Sequence, residues 1–357
     1  MGSINGPERG PAGRALIRCS DYRASDFGAA NVMNCSTVCM LHAAVRRHVQ
    51  EPQVKELQVD RLKTSGSHGR IPEGSRSVTA KPILISPKLQ PERSSQQPAH
   101  AMPSYAVLGA TGNTGQSLLT VLSQSPDKEI HAYCRSKSKL LSLSPEVSSN
   151  ERIKVYEGKL EDVSLIADCI SGTRAVFMAV AMSDNMPGCT ISQDTARVVV
   201  SAMEKLREAD PDARLPRVIV LSSASLDKHL SRDVPHFVHW MLLACASHVY
   251  ADLMEAEKFL RSKKDWISTT FVKPGGLVHD KQKGHELSTE RQQTFLSFLD
   301  LAGGMVEVAD TEDDRWDMKN VSVLPKAKDV KIEWKAPYYL FRGLLFHFFP
   351  STYRLLN

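Results

Sequence analysis

The chain has 357 residues, with 45 Lys and Arg against 40 Asp and Glu and 42% hydrophobic residues, a composition typical of a globular protein with room for one large domain or two small ones. Its seven cysteines, at 19, 35, 39, 134, 169, 189 and 245, form no CxxC pair and no even-numbered framework, which excludes a disulfide scaffold and favours a reducing, cytoplasmic setting. No apolar run is long enough to span a bilayer.

The composition changes near residue 102. Of 23 aromatic residues only Tyr22 and Phe27 precede Met102, and residues 1–101 carry 14 basic and 8 acidic side chains, leaving the remainder at −1. A stretch so poor in aromatics and rich in Ser, Gly, Pro and Arg buries too little to offset its chain entropy, so residues 1–101 are expected to be a disordered basic extension. Glu8, Asp21 and Asp26 weigh against a mitochondrial presequence. Met102-Pro103-Ser104 resembles a natural start, which leaves the extension open to reading as a gene-prediction artefact. The near-neutral remainder, residues 102–357, carries no basic face for nucleic acid.

In chain order, the folded part begins with the apolar run Tyr105 to Leu108, which opens into Gly109-Ala110-Thr111-Gly112-Asn113-Thr114-Gly115 and then a helical pattern. A strand, a glycine turn and a helix N-terminus present bare N–H groups and a partial positive charge to a pyrophosphate. Gly109, Thr111, Gly112, Asn113, Thr114 and Gly115 are therefore the expected dinucleotide-binding residues. A second strand, Ile130 to Arg135, follows at βαβ distance. Strands at Ile153 to Tyr156, Ala175 to Val180, Arg217 to Leu221 and Ile267 to Val272 alternate with helices near Ser164 to Ile170, Ser192 to Ala209 and Tyr250 to Lys263. Such alternation predicts an α/β fold, a doubly wound parallel sheet with helices on both faces.

From about residue 276 to 357 the pattern loosens into a small irregular C-terminal region, read as substrate-binding. It has a polar stretch His279 to Glu290, an apolar helix near Phe295 to Val308, an acidic run Asp310 to Asp314 expected to be a solvated loop, and a closing strand Val321 to Val323. Pro337 to Pro350 reads as a helix that docks on the core in preference to a membrane-surface anchor.

The end of the second strand chooses the cofactor. NAD-preferring sites place a carboxylate there, whereas a 2′-phosphate needs cations. Here Arg135 is followed by Lys137 and Lys139, which favours NADPH. Asp162 stands where such folds touch adenine, and equally where a helix N-cap belongs. Ser223, at the end of the central strand, could orient a substrate oxygen or cap the strand.

The glycine motif, the basic end of the second strand, Leu221-Ser222-Ser223-Ala224-Ser225 and Val272-Lys273-Pro274-Gly275-Gly276 together resemble the atypical short-chain dehydrogenase/reductase group with NmrA-like NAD(P)-binding proteins. More narrowly, MPSYAVLGATGNTGQ, SFLDLA, NVSV and GLLFHFFP resemble the fungal averufin oxidase A family over residues 102–357. That resemblance implies a Rossmann-type oxidoreductase tailoring an aromatic polyketide of anthraquinone or xanthone type, with a pathway oxygenase as a possible partner.

The resemblance also implies a catalytic Tyr with a Lys four residues on. Tyr250 lies at a suitable distance beyond Ser225, but the partner position is Met254. Without the cation a phenol stays near its reference pKa of roughly 10, poorly matched to acid/base work at neutral pH. Ser223 and Tyr250 are the catalytic candidates. The missing Lys leaves a second reading open, a non-catalytic NmrA-like regulator that senses NADP. Other candidates are weaker. His236 and His239 lack a third metal ligand with recognisable spacing, and no metal is expected. His248 and Asp252, four apart, are either an acid/base pair or an exposed ion pair. Cys245 reads as a buried small hydrophobe.

Overall fold

The computed structural model describes residues 102–327, 329 and 336–356. The expected basic extension, residues 1–101, lies outside the described residues. The chain enters on strand β1 (Ser104–Leu108), helix α1 (Asn113–Ser123), β2 (Glu129–Cys134), a short α2 (Lys137–Leu143), β3 (Ile153–Glu157), α3 (Val163–Ile170) and β4 (Ala175–Met178). It continues through α4 (Ile191–Ala209), β5 (Arg217–Leu221), α5 (His236–Cys245), α6 (Ser247–Arg261) and β6 (Thr269–Val272). The last part contains β7 (Leu277–Val278), β8 (His285–Ser288), β9 (Leu296–Ser297), α7 (Phe298–Asp310), β10 (Asn320–Pro325) and α8 (Ala336–Phe348).

Eight strands form one sheet in the order β3-β2-β1-β4-β5-β6-β10-β8, parallel except where β8 pairs antiparallel with β10. Buried on both faces, the central strands alternate between two cores, as the pleat requires. Tyr105 and Val107 of β1, with Ile130, Ala132 and Phe177, face the layer of α1 and α7. Ala106 and Leu108, with Val176, Met178, Val218 and Val220, face α3, α4 and α6. The order reverses between β1 and β4, and in open α/β sheets the ligand crevice lies outside the carboxyl ends of the strands at that switch point. The doubly wound sheet expected from the alternation is the fold.

Two features depart from the sequence reading. The polar stretch His279 to Glu290 contains the edge strand β8, held by Asp300, whose Oδ1 accepts from the N–H groups of Lys283 and Gly284 at 2.9 and 2.7 Å. A glycine pair in α7 allows the close approach, since a Cβ on Gly303 or Gly304 would stand 2.7 or 2.8 Å from His285 or Val323. The acidic run beyond Asp310 is an exposed loop, as expected. Asp310 ends α7, pairs with Lys128 at 2.6 Å and accepts from the Tyr105 hydroxyl, while Asp313 and Asp314 pair with Arg315 and Arg217. Finally, α5 occupies a segment in which the sequence reading placed no helix.

Candidate functional site

The three glycines of the turn do different work. Gly109 follows β1 with φ +94°, a conformation that favours glycine, and a Cβ there would lie 2.7 Å from the Ala179 carbonyl oxygen. At Gly115 a Cβ would lie 2.1 Å from the Gly109 carbonyl oxygen, so its bare backbone lets α1 sit against the end of β1. Gly112 differs. Its φ is −84°, its N–H donates to the Gly109 carbonyl at 2.9 Å, and a Cβ would meet nothing closer than 3.4 Å. A Cβ at Gly112 would thus make ordinary van der Waals contact without a clash at the N-terminus of α1, where no capping side chain and no acidic residue of the first turn compete for an anion. Thr114 is buried, and Thr111 and Asn113 are half-buried at the same turn. The cradle fits a pyrophosphate.

At the end of β2, Arg135 is exposed, and the side chains of Arg135, Lys137 and Lys139 form no ion pair with a described residue. Ser136 caps α2 by accepting from the Lys139 N–H at 3.3 Å. One carboxylate that the sequence reading missed lies close by. Glu157, in register with Cys134 on the neighbouring strand, accepts from the Lys137 N–H at 2.8 Å. It comes from β3, so no spacing along β2 could have revealed it. Asp162 caps α3, with Oδ1 accepting from the Leu165 N–H at 3.0 Å.

Beyond β5 the two candidate hydroxyls meet. Ser223 Oγ and Tyr250 Oη are 3.0 Å apart, and both residues are buried. Ser223 is extended and caps the short 3₁₀ turn Ala224–Leu226, its Oγ accepting from the Ser225 N–H at 3.3 Å. Tyr250 lies in the first turn of α6 against Val234, Val238 and Leu242, with Met182 and Phe295 at the margin. The pair thus sits beside an apolar wall. Met254, one turn further along α6, is 56% exposed, so that position supplies nothing to the tyrosine.

Beneath the pair runs a charged network that sequence reasoning missed. Lys273 and Glu257, 2% and 8% exposed, form an ion pair at 2.9 Å, and the Ser222 hydroxyl donates to the other oxygen of Glu257. Against the opposing effect of burial, hydrogen bonds from the Leu230 N–H, Asn320 and the His229 N–H, with a smaller contribution from Lys273, hold the Asp227 carboxyl below its ordinary range. The available signal was the spacing of Glu257, seven residues and two helical turns from Tyr250 on the same face.

Other candidates resolve differently. His248 and Asp252 form neither an acid/base pair nor an exposed ion pair. Asp252 is 1% exposed and accepts from the N–H groups of Ser192 and Gln193 at 2.8 and 3.1 Å, anchoring the start of α4. The His248 ring turns toward the Phe346 carbonyl at 3.4 Å, and burial lowers its pKa. The His239 ring nitrogen bonds to the Ser225 carbonyl at 2.9 Å. Cys245 is buried and its thiol is pushed up to about 12 by desolvation, as an inert small hydrophobe would be.

Sheet order, glycine turn and uncapped helix N-terminus define a Rossmann-type dinucleotide-binding protein. Residues 109–312 match the family described as NAD(P)H-binding, and the chain belongs to that family. It is 58% identical over 253 residues to the oxidoreductase aflX of Aspergillus parasiticus, covering 71% of this chain and 95% of that protein. With the oxidoreductase stcQ of Emericella nidulans it shares 54% identity over 260 residues, covering 72% and 95%. With the oxidoreductase ordB of Dothistroma septosporum it shares 56% over 253 residues, covering 71% and 94%. Among solved structures, a short-chain dehydrogenase/reductase from Veillonella parvula matches with a TM-score of 0.50 at 18% identity, over 65% of this chain and 99% of that one, a likeness of fold. The resemblance to NmrA-like short-chain dehydrogenase/reductases and to the averufin oxidase A family is borne out, and the protein is an oxidoreductase that uses a nicotinamide cofactor.

Proposed function

We propose that the protein is an NADPH-dependent oxidoreductase that tailors an aromatic polyketide of anthraquinone or xanthone type in fungal secondary metabolism. The observation that carries this reading is the contact between Ser223 and Tyr250 at the carboxyl end of β5, beside the apolar wall of Val238, Leu242 and Phe295. In this reading Gly109, Thr111, Gly112, Asn113, Thr114 and Gly115 hold the pyrophosphate, Arg135 meets the 2′-phosphate, and Asp162 borders the adenine. The nicotinamide, when bound, supplies or accepts the hydride. Tyr250 Oη exchanges a proton with the substrate oxygen, and Ser223 Oγ orients that oxygen and shares the tyrosine's proton. The two hydroxyls act as a relay where the lysine of the standard arrangement is replaced by Met254. A flat ring system fits the apolar wall better than a hydrophilic substrate, because little of that wall hydrogen-bonds.

The test is consumption of NADPH by the full chain with a panel of anthraquinones and xanthones, repeated with Tyr250→Phe and Ser223→Ala. Turnover that falls by about a hundredfold or more in Tyr250→Phe, in line with the loss of a general acid, supports the assignment. Cofactor binding without turnover of any member, together with cofactor-dependent capture of a protein partner, would instead favour the regulator.

A further inference from the structure

Helix α8 is apolar on two sides. Its inner side packs along α5, with Leu340 and Phe346 buried and Gly343 pressed so close that a Cβ would stand 2.2 Å from the Cys245 carbonyl oxygen. Cys245 Sγ donates to the Leu340 carbonyl, and Asn185 Nδ2 donates to the Gly343 carbonyl at 3.0 Å. Docking on the core is thus complete without the outer side. That outer side is nevertheless aromatic, with Tyr338 56%, Phe341 68% and Phe348 57% exposed, and Phe349 60% exposed just beyond the helix. On α5, Phe237 and Trp240 are 68% and 51% exposed and stack on each other at 6.2 Å. A helix that is apolar all round is ordinarily buried all round, and aromatic side chains left in water on this scale mark an interaction surface.

The charge of the two segments says what covers them. Residues 234–250 and 336–356 contain no Asp or Glu, in a chain with 40 of them. Their cations are Arg342, which pairs with Asp184 at 2.7 Å, and Arg354, which is exposed. A second copy docked through this face would be self-complementary in shape alone, since Arg342 is already paired and Arg354 would find no carboxylate on these segments to receive it. Lipid phosphates and anionic headgroups provide the missing charge, and Trp, Tyr and Phe are the side chains that settle at the boundary between headgroup and acyl chain. No helix among the described residues is long and apolar enough to cross a membrane, so the contact is with the surface.

We propose that the outer faces of α5 and α8 dock the protein on the surface of an anionic lipid bilayer, with Phe237, Trp240, Phe341 and Phe348 entering the interface and Arg354 meeting the headgroups. The inference is independent of the substrate and of the cofactor preference proposed above.

The test is co-sedimentation of the full chain with phosphatidylcholine vesicles, with and without phosphatidylserine. The parent is expected to bind both, more tightly with phosphatidylserine. Phe341→Ser and Trp240→Ser, at exposed positions that leave the thermal midpoint unchanged, should each weaken partition by about tenfold, the effect of removing one buried aromatic side chain. Arg354→Glu should weaken binding to the phosphatidylserine vesicles only. The basic residues 1–101 could attract anionic vesicles by themselves, but that binding would survive both aromatic substitutions. Survival of binding in those variants overturns the proposal, as does absence of binding by the parent. A parent that is dimeric by light scattering, and becomes monomeric in Phe341→Ser, overturns it in favour of an interface between copies.

Discussion

Ser223 Oγ and Tyr250 Oη, 27 residues apart in the chain, stand 3.0 Å from each other in a buried setting. The contact joins the end of a central strand to the first turn of the helix that covers it. Tyr250→Phe removes one hydroxyl while keeping the ring against Val238 and Leu242, so the loss of stability should be near that of one hydrogen bond, about 0.5–1.5 kcal/mol. Activity should fall far more than stability. Parallel measurement of urea denaturation and NADPH consumption separates the two, and an equal loss in both would reduce the pair to a packing contact.

The glycine turn allows a sharper separation of roles. At Gly112 the backbone angle is ordinary and a Cβ would make only van der Waals contact, at 3.4 Å from the Gly109 carbonyl oxygen, so Gly112→Val should largely keep its circular dichroism and melting while calorimetric binding of the nicotinamide cofactor disappears. Gly109→Ala and Gly115→Ala should unfold at lower temperature before any ligand is added, because their Cβ atoms collide with backbone and, at Gly109, φ is positive, a strain of about 1–3 kcal/mol. Equal melting of all three variants would remove the distinction.

Cofactor preference should reside at the end of β2. A guanidinium on a phosphate contributes roughly 1.5–3 kcal/mol, and a tenfold preference for NADPH over NADH needs about 1.4. Arg135→Asp should therefore reverse or abolish the preference. Glu157, whose carboxylate lies at the Lys137 N–H, should oppose the phosphate, so Glu157→Gln is expected to tighten NADPH without affecting NADH. Dissociation constants for both cofactors at two salt concentrations test this, and a parent that binds both equally would refute the assignment to Arg135.

The Lys273–Glu257 pair is buried, and removing Glu257 takes away the 2.9 Å partner of Lys273, whereas removing Lys273 leaves Glu257 with Arg261 at 3.8 Å. Glu257→Leu should cost about 3–5 kcal/mol and Lys273→Met less, whereas the double variant should recover much of the larger loss. Denaturation midpoints of the two single variants and the double variant form the cycle. Strict additivity would show that the two groups do not act as a pair.

Acid should weaken the fold through His131. Burial, reinforced by the nearby Lys154, holds its imidazole pKa below the ordinary value against the 2.6 Å hydrogen bond from Nδ1 to the Cys169 carbonyl and the Glu129 carboxylate. The unfolded ring titrates near about 6.5, so between the lowered folded value and that point the unfolded chain binds more protons. The contribution of the neutral ring is complete above about pH 6.5 and is lost as the pH falls toward the lowered value. His131→Gln should flatten the dependence of melting temperature on pH in that window. The same slope in parent and variant would assign the effect to other groups.

The sheet, the turn and the basic end of β2 were legible in the sequence because each depends on short-range chemistry. Alternating βα patterns report burial on both faces, Gly109, Gly112 and Gly115 report backbone geometry within seven residues, and Arg135 follows its strand directly. What the tertiary structure decided were the partnerships between distant residues. Which side of α6 faces β5 determines that Tyr250 meets Ser223, that Glu257 takes Lys273 and Ser222, and that Asp252, which looked available to His248, is spent on the start of α4. The register of β3 against β2 brought Glu157 to the cation cluster, and the glycine pair in α7 allowed a polar stretch to become an edge strand. These outcomes depend on helix rotation and strand register, and both are set by packing across the whole domain and not by any one segment's pattern.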